Sequence, residues 1–154
     1  MLPSMHSDNF LNPTLRDLAC EIGRVQIYWC FLENEMRSHL KNAGLQKLSA
    51  KGAVITHWRS FMLDIASKSE NGAPRDCLRE VEEVARVRNL LAHVIRFVAA
   101  DPWEANTAVA VCVGPDGLEH ELSIETIRGL AEEIDRARRS LRWNKPAWKI
   151  SAIR

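Results

Sequence analysis

The chain has 154 residues, enough for one domain with a sizeable core, and 1–154 are read as a single unit with irregular tails at 1–11 and 144–154. Twenty-one basic residues stand against twenty acidic ones, so no global positive field exists to draw in nucleic acid. No apolar run approaches the roughly 18 residues a membrane span needs, and Met1 to Phe10 lack the basic-then-apolar order of a secretory signal, so a cytoplasmic protein with no membrane partner is expected.

Asn12 reads as a cap and Pro13 as the first residue of a long helix. From Leu15 through Leu18, Ile22, Val25, Trp29, Leu32, Met36 and Leu40, apolar residues recur at three- and four-residue steps and fall on one face. Asn42-Ala43-Gly44 ends the pattern, because Gly takes the left-handed conformation that closes many helices. Glu33 lies about 40° from Trp29 on the wheel, beside the apolar stripe. Either it sits at the edge and reaches water, or it holds an arginine, for which Arg88 is the candidate.

A second helix, about Gly52 to Glu70, carries the stripe Val54, Ile55, Trp58, Phe61, Met62 and Ile65, and Asn71-Gly72-Ala73-Pro74 stops it. His57, beside Trp58, reads as a boundary residue of this helix. The four cysteines, Cys20, Cys30, Cys77 and Cys112, form no C-x-x-C pair, which argues against zinc and predicts reduced, buried thiols.

The third helix, about Pro74 to Ile95, ends in Arg88-Asn89-Leu90-Leu91-Ala92-His93. With Arg88 as the zero of a wheel, Val81, Val84, Leu91, Ala92 and Ile95 fall within roughly 60° of it. Arg88 is therefore in the middle of the apolar face, where an unpaired charge is costly. An internal carboxylate, a subunit boundary or a bound anion would compensate it. His93 falls about 140° from Arg88, in line with Glu82, Arg86 and Asn89. A long Arg side chain reaching around, a helix that loosens before Val94, or two copies of the helix meeting would bring the pair together. Val87, Leu90 and Val94 form a second apolar stripe, as expected of a helix buried from more than one direction.

Phe97 to Ala100, Thr107 to Val113 and Leu118 to Leu122 read as strands, with Gly114-Pro115-Asp116-Gly117 as the turn between the last two. A small antiparallel hairpin or meander is expected before the last helix. Ser123 caps that helix, and Ile127, Leu130, Ile134, Ala137 and Leu141 form its stripe. After Asp135 the charge is one-sided: Arg136, Arg138, Arg139, Arg142, Lys145, Lys149 and Arg154, with Trp143 and Trp148 interleaved. Such a mixture can follow a phosphate backbone and stack bases. It equally describes a solvated helix end with two tryptophans packed on the bundle.

The run Arg-Asn, three residues, His, at the end of a helix, resembles the signature of the HEPN superfamily (higher eukaryotes and prokaryotes nucleotide-binding domains). Members often carry Gly after the His, where this chain has Val94. The resemblance implies a mainly α fold, a HEPN-like up-and-down helical bundle with the hairpin or meander inserted before the last helix. It also implies a metal-independent RNA endonuclease, a toxin or defence component that acts on RNA as a homodimer with a composite active site, held in check by an antitoxin protein. No metal or organic cofactor is implied.

On that reading the RNA supplies its own nucleophile, the 2′-hydroxyl. Histidine as a residue type titrates near neutrality, so His93 is the candidate for base or acid. Arg88 carries a permanent charge in a fork that suits phosphate and stabilises the transition state. Asn89 orients His93 or contacts phosphate, and Glu33 supports Arg88. Arg86, Arg96, Arg139 and Arg142 are candidates for binding the RNA backbone. Two other readings stay open: a non-catalytic HEPN-like module that binds RNA, nucleotide or a partner protein, and a purely structural helical dimer.

Overall fold

The computed structural model describes residues 15–45, 53–93, 95–99 and 108–143. In chain order these form α1 (Leu15–Asn42), α2 (Val54–Lys68), α3 (Ala73–His93), β1 (Ile95–Ala99), β2 (Val109–Val113), β3 (Glu119–Ser123) and α4 (Ile124–Trp143). The protein is mainly helical with one small sheet.

The helical stripes make one core. Leu18, Val25, Trp29, Leu32, Met36 and Leu40 of α1 are buried against Trp58, Met62 and Ile65 of α2, Leu78, Val81, Val84 and Leu91 of α3, and Ile127, Leu130, Ile134 and Leu141 of α4. Each fully buried leucine or isoleucine contributes about 1.5–3 kcal/mol. Leu15 belongs to the α1 stripe by spacing but is exposed, since it sits in the first described turn, beyond the reach of the core.

Helix ends follow local chemistry. At the end of α1, Gly44 adopts φ 81, the Leu45 N–H donates to the Leu40 carbonyl at 2.9 Å and the Gly44 N–H to Lys41 at 3.0 Å. This pair of bonds is the Schellman closure, which satisfies carbonyls the helix leaves open. The Ala73 N–H at the start of α3 donates to Asn71 Oδ1 at 3.0 Å. Ser123 Oγ accepts from the Thr126 N–H at 3.2 Å and caps α4. The expected start of the first helix at Asn12 and Pro13 lies outside the described residues.

Contacts at both ends fix the direction of α4 relative to α1. Arg128 Nε donates to Glu21 Oε1 at 3.1 Å, and farther along both helices His39 Nε2 lies 3.0 Å from the Leu141 carbonyl oxygen. The two helices run in the same direction, so strict up-and-down alternation does not extend to the last helix. Three strands between α3 and α4 reverse the chain and make this parallel packing reachable.

The third helix is shorter than its apolar pattern. It ends at His93, and Ile95 already belongs to β1. Ile95, Phe97 and Val98 favour an extended chain, and pairing with β2 decides the boundary. The strands are antiparallel in the order β1-β2-β3, with an irregularity between Ile95 and Phe97. Central β2 is buried over Ala110, Val111 and Cys112. Leu90, one member of the second apolar stripe of α3, is buried by this same chain, so that stripe does not require a second subunit. Two of the four cysteines also depart from expectation: Cys20 and Cys30 are exposed on α1, while Cys77 and Cys112 are buried. Among the described residues no helix is long and apolar enough to cross a membrane.

Candidate functional site

Arg88 projects from the apolar side of α3 toward α1 and is half-buried there. One terminal nitrogen, Nη2, donates to Gln26 Oε1 at 3.1 Å, and the other, Nη1, donates to Asn89 Oδ1 at 3.2 Å. The guanidinium carbon stands 5.1 Å from the centre of the Trp29 ring, within cation–π range. The third nitrogen, Nε, is buried without a hydrogen-bond acceptor. All of these partners are neutral. Among the described residues, Arg88 has no carboxylate partner, so its charge is held in place without being neutralised.

Of the two readings of Glu33, the edge position is the one seen, and the alternative pairing with Arg88 is not formed. Glu33 Oε1 accepts from the Trp29 Nε1–H at 2.9 Å, and Oε2 lies 3.7 Å from Arg37 Nη2. Both partners sit one turn away on the same helix, where spacing alone brings side chains together. Glu33 reaches Arg88 only through Trp29: it anchors the polar edge of the ring whose face lies under the guanidinium.

The helix is regular from Ala73 to His93, so it does not loosen within the motif. Backbone geometry keeps the positions of Arg88 and His93 about 140° apart. The bond from Arg88 to Asn89 narrows that separation. Asn89 is about 100° round the helix from Arg88, and His93 lies one turn beyond Asn89 on the same face. The guanidinium thus bends from its own face toward the side that carries Asn89.

Asn89 also borders a cleft of about 480 Å³ between α3 and the β2–β3 turn. Arg86, Asn89 and Leu90 line it from α3; Val113, Gly114, Pro115, Asp116 and His120 line it from the sheet. Asp116 Oδ1 accepts from the Leu118 N–H at 3.0 Å and lies 3.6 Å from His120 Nε2. The Leu118 bond, and then His120, hold the Asp116 carboxyl below its ordinary range. Sequence reasoning did not single out this Asp–His pair. Its only signal was the Gly-Pro-Asp-Gly turn with a His at the second position of the returning strand. A second cleft of about 400 Å³ between α3 and α4 mixes Arg79, Glu80, Glu83, Glu133 and Arg136 and contains none of the motif residues.

The four arginines expected to bind an RNA backbone are dispersed. Arg86 is paired with Glu83 at 2.7 Å, and that bond raises the arginine and lowers the acid from their ordinary values. Arg96, on β1, is 3.2 Å from Glu119, and Arg139, on α4, is 3.1 Å from Asp135. Arg142 is exposed on the last turn of α4. Exposed pairs of this kind contribute about 0–1 kcal/mol, so a phosphate can displace the carboxylate at little cost. Arg86 shares the cleft with Asn89. The tail cations Lys145, Lys149 and Arg154, and Trp148, lie outside the described residues. His57 is half-buried on α2. Among the described residues no three His, Cys, Asp or Glu side chains are grouped to hold a metal ion. No protein-family model, curated protein or solved structure matches this chain.

Proposed function

We propose that the chain is a metal-independent RNA endonuclease of HEPN type, a toxin or defence component, in which Arg88, Asn89 and His93 carry the cleavage. The observation that supports this most directly is the surroundings of Arg88. A guanidinium cannot shed its proton to escape a poor environment. Here it is oriented by two amide oxygens and an aromatic face, with a desolvated Nε and, among the described residues, no carboxylate partner. A structural arginine in an apolar face is normally matched to a carboxylate; one left unmatched suits an anionic ligand. The phosphodiester of RNA supplies that charge and a planar pair of acceptors for the fork.

In the proposed reaction the 2′-oxygen attacks phosphorus once an imidazole takes its proton, and Arg88 stabilises the charge that builds on the phosphoryl oxygens. His93 provides the base or acid, and Asn89, tied to Arg88, holds the guanidinium near the reacting group. The products are a 2′,3′-cyclic phosphate and a 5′-hydroxyl. A homodimer belongs to this reading, with Ile27 and Phe31, both exposed on α1, as apolar surface for a second copy. An antitoxin protein is the expected regulatory partner, and the cytoplasm the expected location.

The test is cleavage of end-labelled RNA by the purified protein in excess chelator, wild type beside His93→Ala. Cutting by the wild type, cyclic-phosphate ends and loss of cutting in the variant are the expected results. Wild-type protein that retains RNA on a filter without cutting it overturns the enzyme reading in favour of a binding module. Neither cutting nor retention overturns both.

A further inference from the structure

The cleft beside Asn89 contains an imidazole, that of His120. Its two walls come from different parts of the chain. Arg86 and Asn89 stand one turn apart on α3, and His120 is the second residue of β3, opposite Cys112 of β2. At about 480 Å³ the cleft falls in the range of small-molecule sites and has room for a nucleotide.

Three features prepare His120. The first is Asp116, whose Oδ1 lies 3.6 Å from the ring Nε2. The second is the turn that fixes Asp116: the Leu118 N–H binds its carboxylate at 3.0 Å, while the Gly117 N–H closes on the Gly114 carbonyl at 2.9 Å. The carboxylate so held stands beside Nε2, which leaves Nδ1 as the ring nitrogen on the other side of the imidazole. The third is Gly114. A Cβ at this position would stand 2.6 Å from Asp116 Oδ1 and 2.8 Å from His120 Nε2, so any larger residue would force the pair to move.

Asn89 links this cleft to Arg88. It lines the cleft, and its Oδ1 accepts from Arg88 Nη1 at 3.2 Å. Arg88 itself lies against Gln26 and Trp29 of α1, so the link to the cleft runs through the Asn89 side chain. Arg86 adds a second cation, at present matched to Glu83 on the surface.

We infer that His120 is a further catalytic residue of the reaction proposed above: positioned by Asp116, it takes the 2′ proton of an RNA phosphodiester seated in this cleft against Arg86 and Asn89. The inference rests on the ribonuclease reading. The 2′-oxygen gives its proton to His120 and forms a bond to phosphorus. The bond from phosphorus to the 5′-oxygen breaks, and that oxygen takes a proton from the His93 imidazolium. His120 ends protonated and His93 neutral, and exchange with water resets both. Base and acid then come from one protomer, because His93 follows Asn89 by one turn on the same face of α3.

The experiment compares kcat and KM for cleavage of end-labelled RNA in excess chelator by wild type, His120→Gln, Asp116→Asn and Gly114→Ala, each checked for folding by circular dichroism. His120→Gln is expected to lower kcat about 100-fold with KM unchanged, the size of a lost proton-transfer group. Asp116→Asn and Gly114→Ala are expected to lower kcat about tenfold, also at unchanged KM, as weaker members of the same proton-transfer unit. Uridine 3′-monophosphate, the probe for the cleft, is expected to shift the His120 ring resonances in the wild type and not in Gly114→Ala. A wild type that cuts, beside His120→Gln that cuts equally well, overturns the inference and leaves the ribonuclease reading standing. A wild type that does not cut overturns that reading and the role of His120 together. If His120→Gln does not fold, Gly114→Ala decides: it adds one methyl group, and full activity in it overturns the inference.

Discussion

Replacing Arg88 with Met separates an arginine kept for a ligand from one kept for the fold. The favourable terms are two hydrogen bonds from a charged donor to neutral amides, partly exposed and so about 1 kcal/mol each. The stacking over Trp29 adds about 0.5–1 kcal/mol. Against these about 2–3 kcal/mol stands the desolvated Nε, which costs about 1–3 kcal/mol while it lacks an acceptor. Met has a similar reach, packs on the ring and returns apolar contact with Val84 and Leu91. The terms nearly cancel, so Arg88→Met is expected to unfold in urea within about 1 kcal/mol of the wild type, with the same m-value. Cleavage and RNA retention are expected to be lost. A loss of more than about 3 kcal/mol would refute the reasoning, because it would mean that Arg88 is a net structural group whose charge is satisfied in the folded chain.

Other consequences concern the core. His39 is buried, and its Nε2 meets the Leu141 carbonyl in the last turn of α4, where carbonyls lack helical partners; His39→Leu should cost about 1–2 kcal/mol in urea unfolding, through one lost bond and one stranded acceptor, and an unchanged stability would show that this contact is neutral. Burial, with Glu80 adding to it, pushes the Cys77 thiol from 9.0 up to about 12. The thiol is thus kept protonated in the folded state while the unfolded chain ionises first, so stability is full below pH 9 and falls as pH rises toward 12, by about 1.4 kcal/mol per pH unit from this group. Urea midpoints measured across that window should fall less steeply in Cys77→Ala than in the wild type; equal slopes would sink the assignment.

Much of the fold was legible because it is local. The helix closure at Gly44, the Ser123 cap, the Gly-Pro-Asp-Gly turn and the four apolar stripes are each decided within a few residues. What was not legible is relational. The end of α3 was misplaced because Ile95 fits the helical stripe as well as the strand, and only pairing with Cys112 separates the two. Charge alone offers Glu33 as one candidate partner for Arg88, beside a subunit boundary or a bound anion; the packing of α3 on α1 instead sets Arg88 against Gln26 and Trp29, two residues with no formal charge. No periodicity within either helix encodes that choice. The Asp116–His120 pair was overlooked for the same reason: a turn motif announces a reversal, but not which side chains the reversal sets against α3.

The separation of Arg88 and His93 on the helix is the point on which the site reading turns. A regular helix sets the two positions on different faces, and α3 is helical from Ala73 to His93. Two arrangements remain. Either a second α3 supplies the missing group across a dimer axis, or Asn89, which bonds Arg88 and lines the cleft, couples the arginine to the imidazole of His120. The Arg88–Asn89 bond and the placement of His120 in the cleft beside Asn89 favour the second for the proton transfer, and they leave the dimer free to serve affinity or control. The two arrangements differ in one measurable respect. Mixing inactive Arg88→Met with inactive His93→Ala restores part of the activity if a composite site draws one group from each subunit. It restores none if Arg88, His93 and His120 act within a single protomer, because no subunit in the mixture then holds a complete set.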